Sequence, residues 1–93
     1  MPIYDWDDSK RLSNLTKHGI DFEDAWIVLE GQHFAWNGHP GGDGEVRRLA
    51  VGLLDGLCVT VVHAMRGEVI RIISKRRSDR KEREAFHGAI HDG

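Results

Sequence analysis

The sequence predicts an α+β domain, in which a small antiparallel sheet of three to four strands carries two N-terminal helices and one C-terminal helix. Apolar, strand-like runs follow one another in the second half of the chain, turn signals separate them, and helical spacing occurs near both ends. Consecutive strands flanked by helices favour a meander with the helices on one face. The 93 residues suit a single domain over 1–93.

The first helix is predicted to begin with Asp7 or Asp8 as its N-cap and to run to about His18, where a glycine follows. Leu12 and Leu15 are three residues apart, so we expect both on one face of this helix. Basic residues in the last turn suit the negative end of the helix dipole.

A second helix is predicted after Asp21, which with Asp24 has the spacing of a capping box, and Gly31 ends it. Its apolar side chains recur at helical spacing: Phe22, Ala25, Trp26 and Leu29.

Five segments have the character of strands, and the sheet is expected to use three or four of them. Two are short, residues 3–5 and 33–36, and three are longer, residues 45–54, 57–64 and 68–75. Asp55-Gly56 is a strong two-residue hairpin signal, and Arg66-Gly67 is a weaker one. Four glycines and a proline make residues 37–44 a loop. Ser78 or Asp79 then begins the last helix.

The predicted hairpins define the two faces of the sheet. The Asp55-Gly56 turn pairs Ala50 with Val61, and a turn at Arg66-Gly67 pairs Val61 with Ile72. One face then carries only apolar residues and glycine, and suits a packed helix: Ala50, Gly52, Val59, Val61, Ile70 and Ile72. The other face carries polar and charged residues among apolar ones: Arg47, Thr60, Arg71 and Lys75.

Arg71 is the most informative of these residues because it lies between two isoleucines in the expected central strand. A buried cation without a partner costs several kcal/mol, so Arg71 needs either a carboxylate or a polar cleft. With Arg47 on the same face, two guanidinium groups would form a phosphate clamp. The alternative is a solvated face or an internal ion pair, for example with Glu23.

Charge and composition exclude several classes of protein. The chain is 40% hydrophobic and 30% charged, which is typical of a globular domain. Residues 1–46 carry three basic and nine acidic side chains, whereas residues 47–93 carry ten and six. The net charge of −2 argues against a general nucleic-acid coat but allows a local basic patch. No signal peptide or membrane span is expected, and a lone Cys58 favours the cytoplasm.

Several short motifs resemble the BrnT family of toxins over residues 4–87. They are Trp6-Asp7, Lys10, Asn14, Lys17-His18-Gly19-Ile20, Phe22-Glu23, Ala25, Glu45, Arg47, Ala50-Val51-Gly52, Arg71-Ile72-Ile73-Ser74, Arg76, Glu82 and Phe86. Lys75 and Phe86 stand where that family commonly has alanine and tyrosine. The resemblance implies a RelE-like fold, a messenger-RNA-cleaving toxin of a type II toxin–antitoxin system, and a BrnA-like ribbon-helix-helix antitoxin. It also implies that DNA is bound only through the antitoxin.

Cleavage of RNA without a metal needs a base, an acid and cations around the phosphorane. Histidine is a common acid or base in catalysis, so His18 can serve as either, Lys17 can stabilise charge, and Glu23 can act as a base or orient His18. The predicted catalytic set is therefore His18, Lys17, Glu23, Arg47, Arg71 and Arg76, with Lys75, Arg77 and Arg80 binding RNA. We expect no metal, no cofactor and no membrane partner, and a homodimer within a heterotetramer is compatible with these features. Alternatively, the chain is a non-catalytic module that binds the antitoxin in a DNA-binding autorepressor complex, and His18 merely caps its helix.

Overall fold

The computed structural model describes residues 3–41 and 44–91 and confirms the α+β class. The described residues form three helices, a short 3-10 turn and a five-stranded mixed sheet. In chain order they are β1 (Ile3–Trp6), α1 (Asp8–His18), the 3-10 turn (Phe22–Asp24), α2 (Ala25–Glu30), β2 (His33–Asn37), β3 (Arg48–Leu54), β4 (Leu57–Arg66), β5 (Val69–Arg77) and α3 (Arg80–His91). None of these helices has the length and apolarity required to cross a lipid bilayer.

The strand order is β1-β5-β4-β3-β2, so the expected three- or four-stranded antiparallel sheet is wrong in two respects. Strands β2 to β5 form an antiparallel meander, but β1 lies parallel to β5 at the far edge. Both short segments join the sheet, one at each edge. Their local patterns indicate extended backbone but carry no information about which strand each one pairs with.

Most predicted helix ends are confirmed, but the Asp21–Asp24 capping box is wrong. Asp21 instead accepts from the Glu23 N–H of the 3-10 turn, and α2 begins only at Ala25, where the Asp24 side chain makes no capping hydrogen bond to a described residue. The Asp7 carboxylate accepts a hydrogen bond from the Lys10 N–H at 3.2 Å, and Gly19 ends α1 with a left-handed φ of 70°. Asp79 and Glu82 form a reciprocal capping box, each carboxylate accepting from the other residue's N–H at 2.8 Å.

The first hairpin has the predicted register, with Leu54 opposite Leu57 and Ala50 opposite Val61. The second turn is wrong by one residue, because Gly67-Glu68 forms it and Arg66 pairs with Val69. Farther along β5 the register shifts by one residue, so that Val62 pairs with Ser74. This β-bulge alters which side of the sheet the end of β5 presents.

Helices cover both faces of the sheet, which corrects the expectation of one covered face. Phe22, Ala25 and Val28 pack against the predicted apolar face, here called the helix face, with Val59, Val61 and Ile72. On the opposite face, Phe86 of α3 packs on Val51 and Cys58. Near Val51 and Cys58, both faces of β3 and β4 carry apolar side chains. Each face therefore needs a helix packed against it.

Helix α1 attaches to the sheet in an unexpected way. Leu12 and Leu15 are 57% and 38% exposed, whereas Asn14 is the buried residue of the helix. Hydrogen bonds from Asn14, rather than a leucine stripe, therefore connect α1 to β5.

Candidate functional site

Arg71 lies on the face opposite the helix face, where it forms an ion pair with Asp5. β1 places Asp5 directly beside Arg71, and Arg71 Nη1 donates to Asp5 Oδ2 at 2.6 Å. That hydrogen bond holds the pKa of Asp5 below its usual value. The Asp5 side chain is 52% exposed, so the pair opens to solvent. An ion pair was one of the expected alternatives, but its partner is Asp5 and not Glu23.

Arg47 lies next to β3, and strand alternation places it on the same face as Arg71. Its carbonyl oxygen accepts from the Gly38 N–H at 2.7 Å, which fixes its backbone. Within the described residues, its Nε is buried and has no hydrogen-bond partner. An unsatisfied buried donor is costly, so a rearrangement of the Arg47 side chain that gives this Nε an acceptor would be favourable.

Arg76 is on this face too, but α3 already occupies its guanidinium. Its Nη1 and Nη2 donate to the two carboxylate oxygens of Glu82 at 2.6 and 2.8 Å. Burial opposes ionisation of Glu82, yet the Arg76 and Asp79 hydrogen bonds leave the Glu82 pKa below its usual value. The pair therefore ties the start of α3 to β5.

We predict that Arg76→Ala lowers the free energy of unfolding by about 2–3 kcal/mol, because it leaves the buried Glu82 carboxylate without its counter-ion. Chemical denaturation measures the change. Arg80→Ala is the matched control: it breaks the exposed pair with Glu84 and should cost under about 0.5 kcal/mol. Equal effects of the two variants would contradict this prediction.

Lys75 does not lie on the RNA-accessible surface, which corrects its expected position beside Arg71. The β5 bulge pairs Lys75 with Val61, on the helix face, and leaves it 1% exposed. There its Nζ donates to the Asp21 carbonyl oxygen at 2.8 Å, and burial lowers its pKa. Of the other two predicted RNA-binding residues, Arg77 is exposed and Arg80 pairs with Glu84 at 3.0 Å.

A cleft of about 310 Å³ lies between α1 and β5 and contains Lys17 and His18. It is lined by Ser9, Lys10, Ser13, Asn14, Lys17, His18, Ile73 and Ser74. Ser74 shares its sheet face with Arg71, because their partners Val62 and Ala64 are two residues apart on β4. The cleft therefore brings together, on one basic surface, two of the motifs that carry the family resemblance. They are Lys17-His18 and Ile73-Ser74.

Asn14 holds the cleft together, a role that analysis of the sequence missed. Its amide donates to the carbonyl oxygens of Ile20 and Lys75 at 2.9 and 2.7 Å. Its Oδ1 accepts from the Ser74 hydroxyl and the Lys75 N–H at 3.2 and 3.3 Å. One feature of the sequence could have indicated this role. Asn14 is an amide side chain within the Leu12–Leu15 stretch, where a buried face of the helix was expected.

Glu23 forms no hydrogen bond or ion pair with His18 within the described part of the chain. Its carboxylate is 64% exposed and lies 3.4 Å from Arg11 Nη2, and it does not line the cleft. The same guanidinium binds Asp21 at 2.7 Å, and these hydrogen bonds lower the pKa of Asp21 to about 2. Of the two alternatives for Glu23, the one in which it orients His18 has no supporting hydrogen bond among the described residues, and a role as a base stays a prediction.

No group of three or more metal-ligating side chains occurs within residues 3–41 and 44–91. His63 is buried on the helix face, where burial lowers its pKa, and it is not part of the cleft.

Comparison with known proteins gave one finding. The model of the family described as "Ribonuclease toxin, BrnT, of type II toxin-antitoxin system" matches residues 6–82. A search of curated proteins found no significant match. The family match confirms the resemblance over most of the chain, and its range includes Lys17, His18, Arg47 and Arg71.

Proposed function

The chain belongs to the BrnT family of ribonuclease toxins of type II toxin–antitoxin systems, and we propose that it cleaves messenger RNA at the cleft between α1 and β5. The observation that carries the proposal is the position of His18 and Lys17 in one cleft with Ser74, on the border of the Arg71 face. An imidazole beside cationic side chains is suited to cleavage at a 2′-hydroxyl.

In the proposed reaction, the 2′-hydroxyl attacks the adjacent phosphorus atom, and the bond to the leaving 5′-oxygen breaks. His18 either takes the proton of the 2′-hydroxyl or protonates the leaving 5′-oxygen, because an imidazole side chain can do both, and water carries out the other proton transfer. Lys17 stabilises the negative charge that develops on the phosphorane oxygens. No metal is part of this proposed scheme.

Arg71 and Arg47 are proposed to hold the phosphate. RNA would compete with Asp5 for Arg71, and this exchange is inexpensive because the Asp5 carboxylate is half-exposed and water can replace its contact with Arg71. Arg47 would have to turn its buried Nε toward solvent, and the phosphate would then supply the acceptor that this atom lacks. Arg76 would support this face through its pair with Glu82. Arg77 is exposed but pairs with Val59, on the helix face, so it is not part of the Arg71 surface.

The toxin–antitoxin family implies an antitoxin partner. We further propose that this antitoxin is a ribbon-helix-helix protein, that the pair forms a heterotetramer, and that the toxin acts in the cytoplasm, where messenger RNA is found.

The test is cleavage of a synthetic RNA by the purified chain in the presence of EDTA. We expect products that end in a 2′,3′-cyclic phosphate, and we expect His18→Ala to reduce the rate about 10²–10³-fold. The matched control is His87→Ala, which removes an exposed imidazole from α3 and should retain the wild-type rate. Cleavage only with added metal, or an unchanged His18→Ala rate, would contradict the proposal.

One observation favours a second candidate, a non-catalytic module that binds the antitoxin. Arg71 and Arg76 both bind carboxylates already, so this face recognises acidic groups as readily as phosphate. If the chain leaves RNA intact, with ribosomes or without, but forms a DNA-binding complex with the antitoxin, this candidate is the correct one.

A further inference from the structure

We propose that the outer edge of β2, with the groove between β2 and α3, binds an extended acidic segment of the antitoxin as an added β-strand. The proposal rests on the proposed toxin–antitoxin function, but it concerns a surface separate from the α1–β5 cleft. It starts from the sheet order, in which β2 is the last strand, so one of its edges has no partner strand within the described residues.

The free edge presents a defined set of main-chain groups. The Gly38 N–H donates to Arg47 O at 2.7 Å, in register with the β2–β3 ladder. Because hydrogen-bonded pairs alternate in an antiparallel ladder, Phe34 and Trp36 direct their main-chain groups toward β3. The groups of His33, Ala35 and Asn37 then point outward, where an added strand can bind them.

The side chains beside this edge form an apolar groove with α3. Two adjoining depressions, of about 130 and 60 Å³, lie between β2 and α3. Phe34 lines both depressions and is 37% exposed. Ala85 and Ala89 line the helix side, and their small size leaves space for alternate apolar side chains of an added strand.

The charge at the groove selects an acidic occupant. Lys81 lines the groove and is exposed, and no described residue forms an ion pair with it. Glu82 also lines the groove, but Arg76 and the Asp79 N–H bind its carboxylate. A carboxylate on an incoming strand would therefore pair with Lys81.

A second copy of the chain fits this surface less well. Two β2 strands could pair edge to edge, but His33–Asn37 contains no acidic residue. The β2 strand of a second copy would thus bring no carboxylate to Lys81, so the charge argues for a different partner.

The experiment compares the free chain with its complex with the antitoxin encoded in the same operon. Hydrogen–deuterium exchange is followed by NMR at the Ala35 and Asn37 amides. We expect exchange at both amides to slow at least about tenfold in the complex. Unchanged exchange in the complex would overturn the proposal, and so would slowing that appears with rising concentration of the free chain or only with RNA.

Proline substitution tests the main-chain contact directly. Ala35→Pro removes the outward N–H without removing a β2–β3 hydrogen bond, and we expect it to weaken antitoxin binding at least about 30-fold. Ala35→Val keeps the N–H and should bind within about threefold of wild type. Equal affinities of the two variants would overturn the proposal.

Lys81→Glu provides a second variant that does not depend on the folding of Ala35→Pro, and it should weaken binding about tenfold at low salt. An unchanged affinity would count against the acidic strand. Failure of the nuclease proposal would be seen separately, as intact RNA in the EDTA assay with β2 protection retained. Failure of the docking proposal would leave RNA cleavage intact and β2 unprotected in the complex.

Discussion

Arg71→Ala is expected to lower RNA cleavage about 10²–10³-fold and to abolish growth arrest at equal protein level, because it removes the guanidinium that would bind the phosphate. The fold should persist, since the one ion pair that Arg71 forms among the described residues is with the half-exposed Asp5, and loss of such a pair costs under about 1 kcal/mol. Cleavage rates of purified protein and growth after induction measure the effect.

Arg48→Ala is the matched control, because it makes the same change of charge at an exposed position whose partner His63 lies on the helix face. Asp5→Asn keeps the shape of the partner but removes its charge, and should raise RNA affinity by freeing Arg71. Growth arrest of wild-type strength in Arg71→Ala would exclude Arg71 from the mechanism.

Asn14→Ala is expected to destabilise the chain by about 3–4 kcal/mol, because it removes four hydrogen bonds and leaves the Lys75 N–H and C=O unsatisfied. For a domain of this size, the loss corresponds to a decrease of about 15 °C in the melting temperature. Differential scanning calorimetry measures it.

Two further variants make this prediction specific. Thr16→Ala changes an exposed residue of the same helix and should alter the melting temperature little. Asn14→Asp keeps the size of the side chain but cannot donate to Ile20 O and Lys75 O, so it should be at least as destabilising as Asn14→Ala. A melting temperature near that of wild type in Asn14→Asp would contradict the proposed role.

The parts of the fold that local chemistry decides were predictable. Asp7, Gly19 and the Asp79–Glu82 pair define helix ends through contacts within a few residues, and Asp55-Gly56 defines a hairpin register. The parallel pairing of β1 with β5 was not predictable, since it joins segments more than 60 residues apart and short extended segments do not specify their partners.

The candidate site, like the fold, was predictable only in part. The Lys17-His18 and Ile73-Ser74 motifs, suggested by resemblance, do meet at one cleft. Lys75 was misplaced because a single bulge in β5 reverses the side of the sheet on which it lies, and simple alternation cannot foresee a bulge. The carboxylate partners of Arg71 and Arg76 were not predicted. Asp5 reaches Arg71 only because β1 lies parallel to β5, a pairing that the sequence did not indicate.

NMR titration of the chain with a 2′-O-methyl RNA, which cannot be cleaved, tests the central claim most directly. If the α1–β5 cleft and the Arg71 face form one RNA site, the largest shifts will occur at Lys17, His18, Arg71 and Ser74, with small shifts on β2. Shifts confined to α3 and β2, or no binding at RNA concentrations that support cleavage of unmodified RNA, would contradict the account.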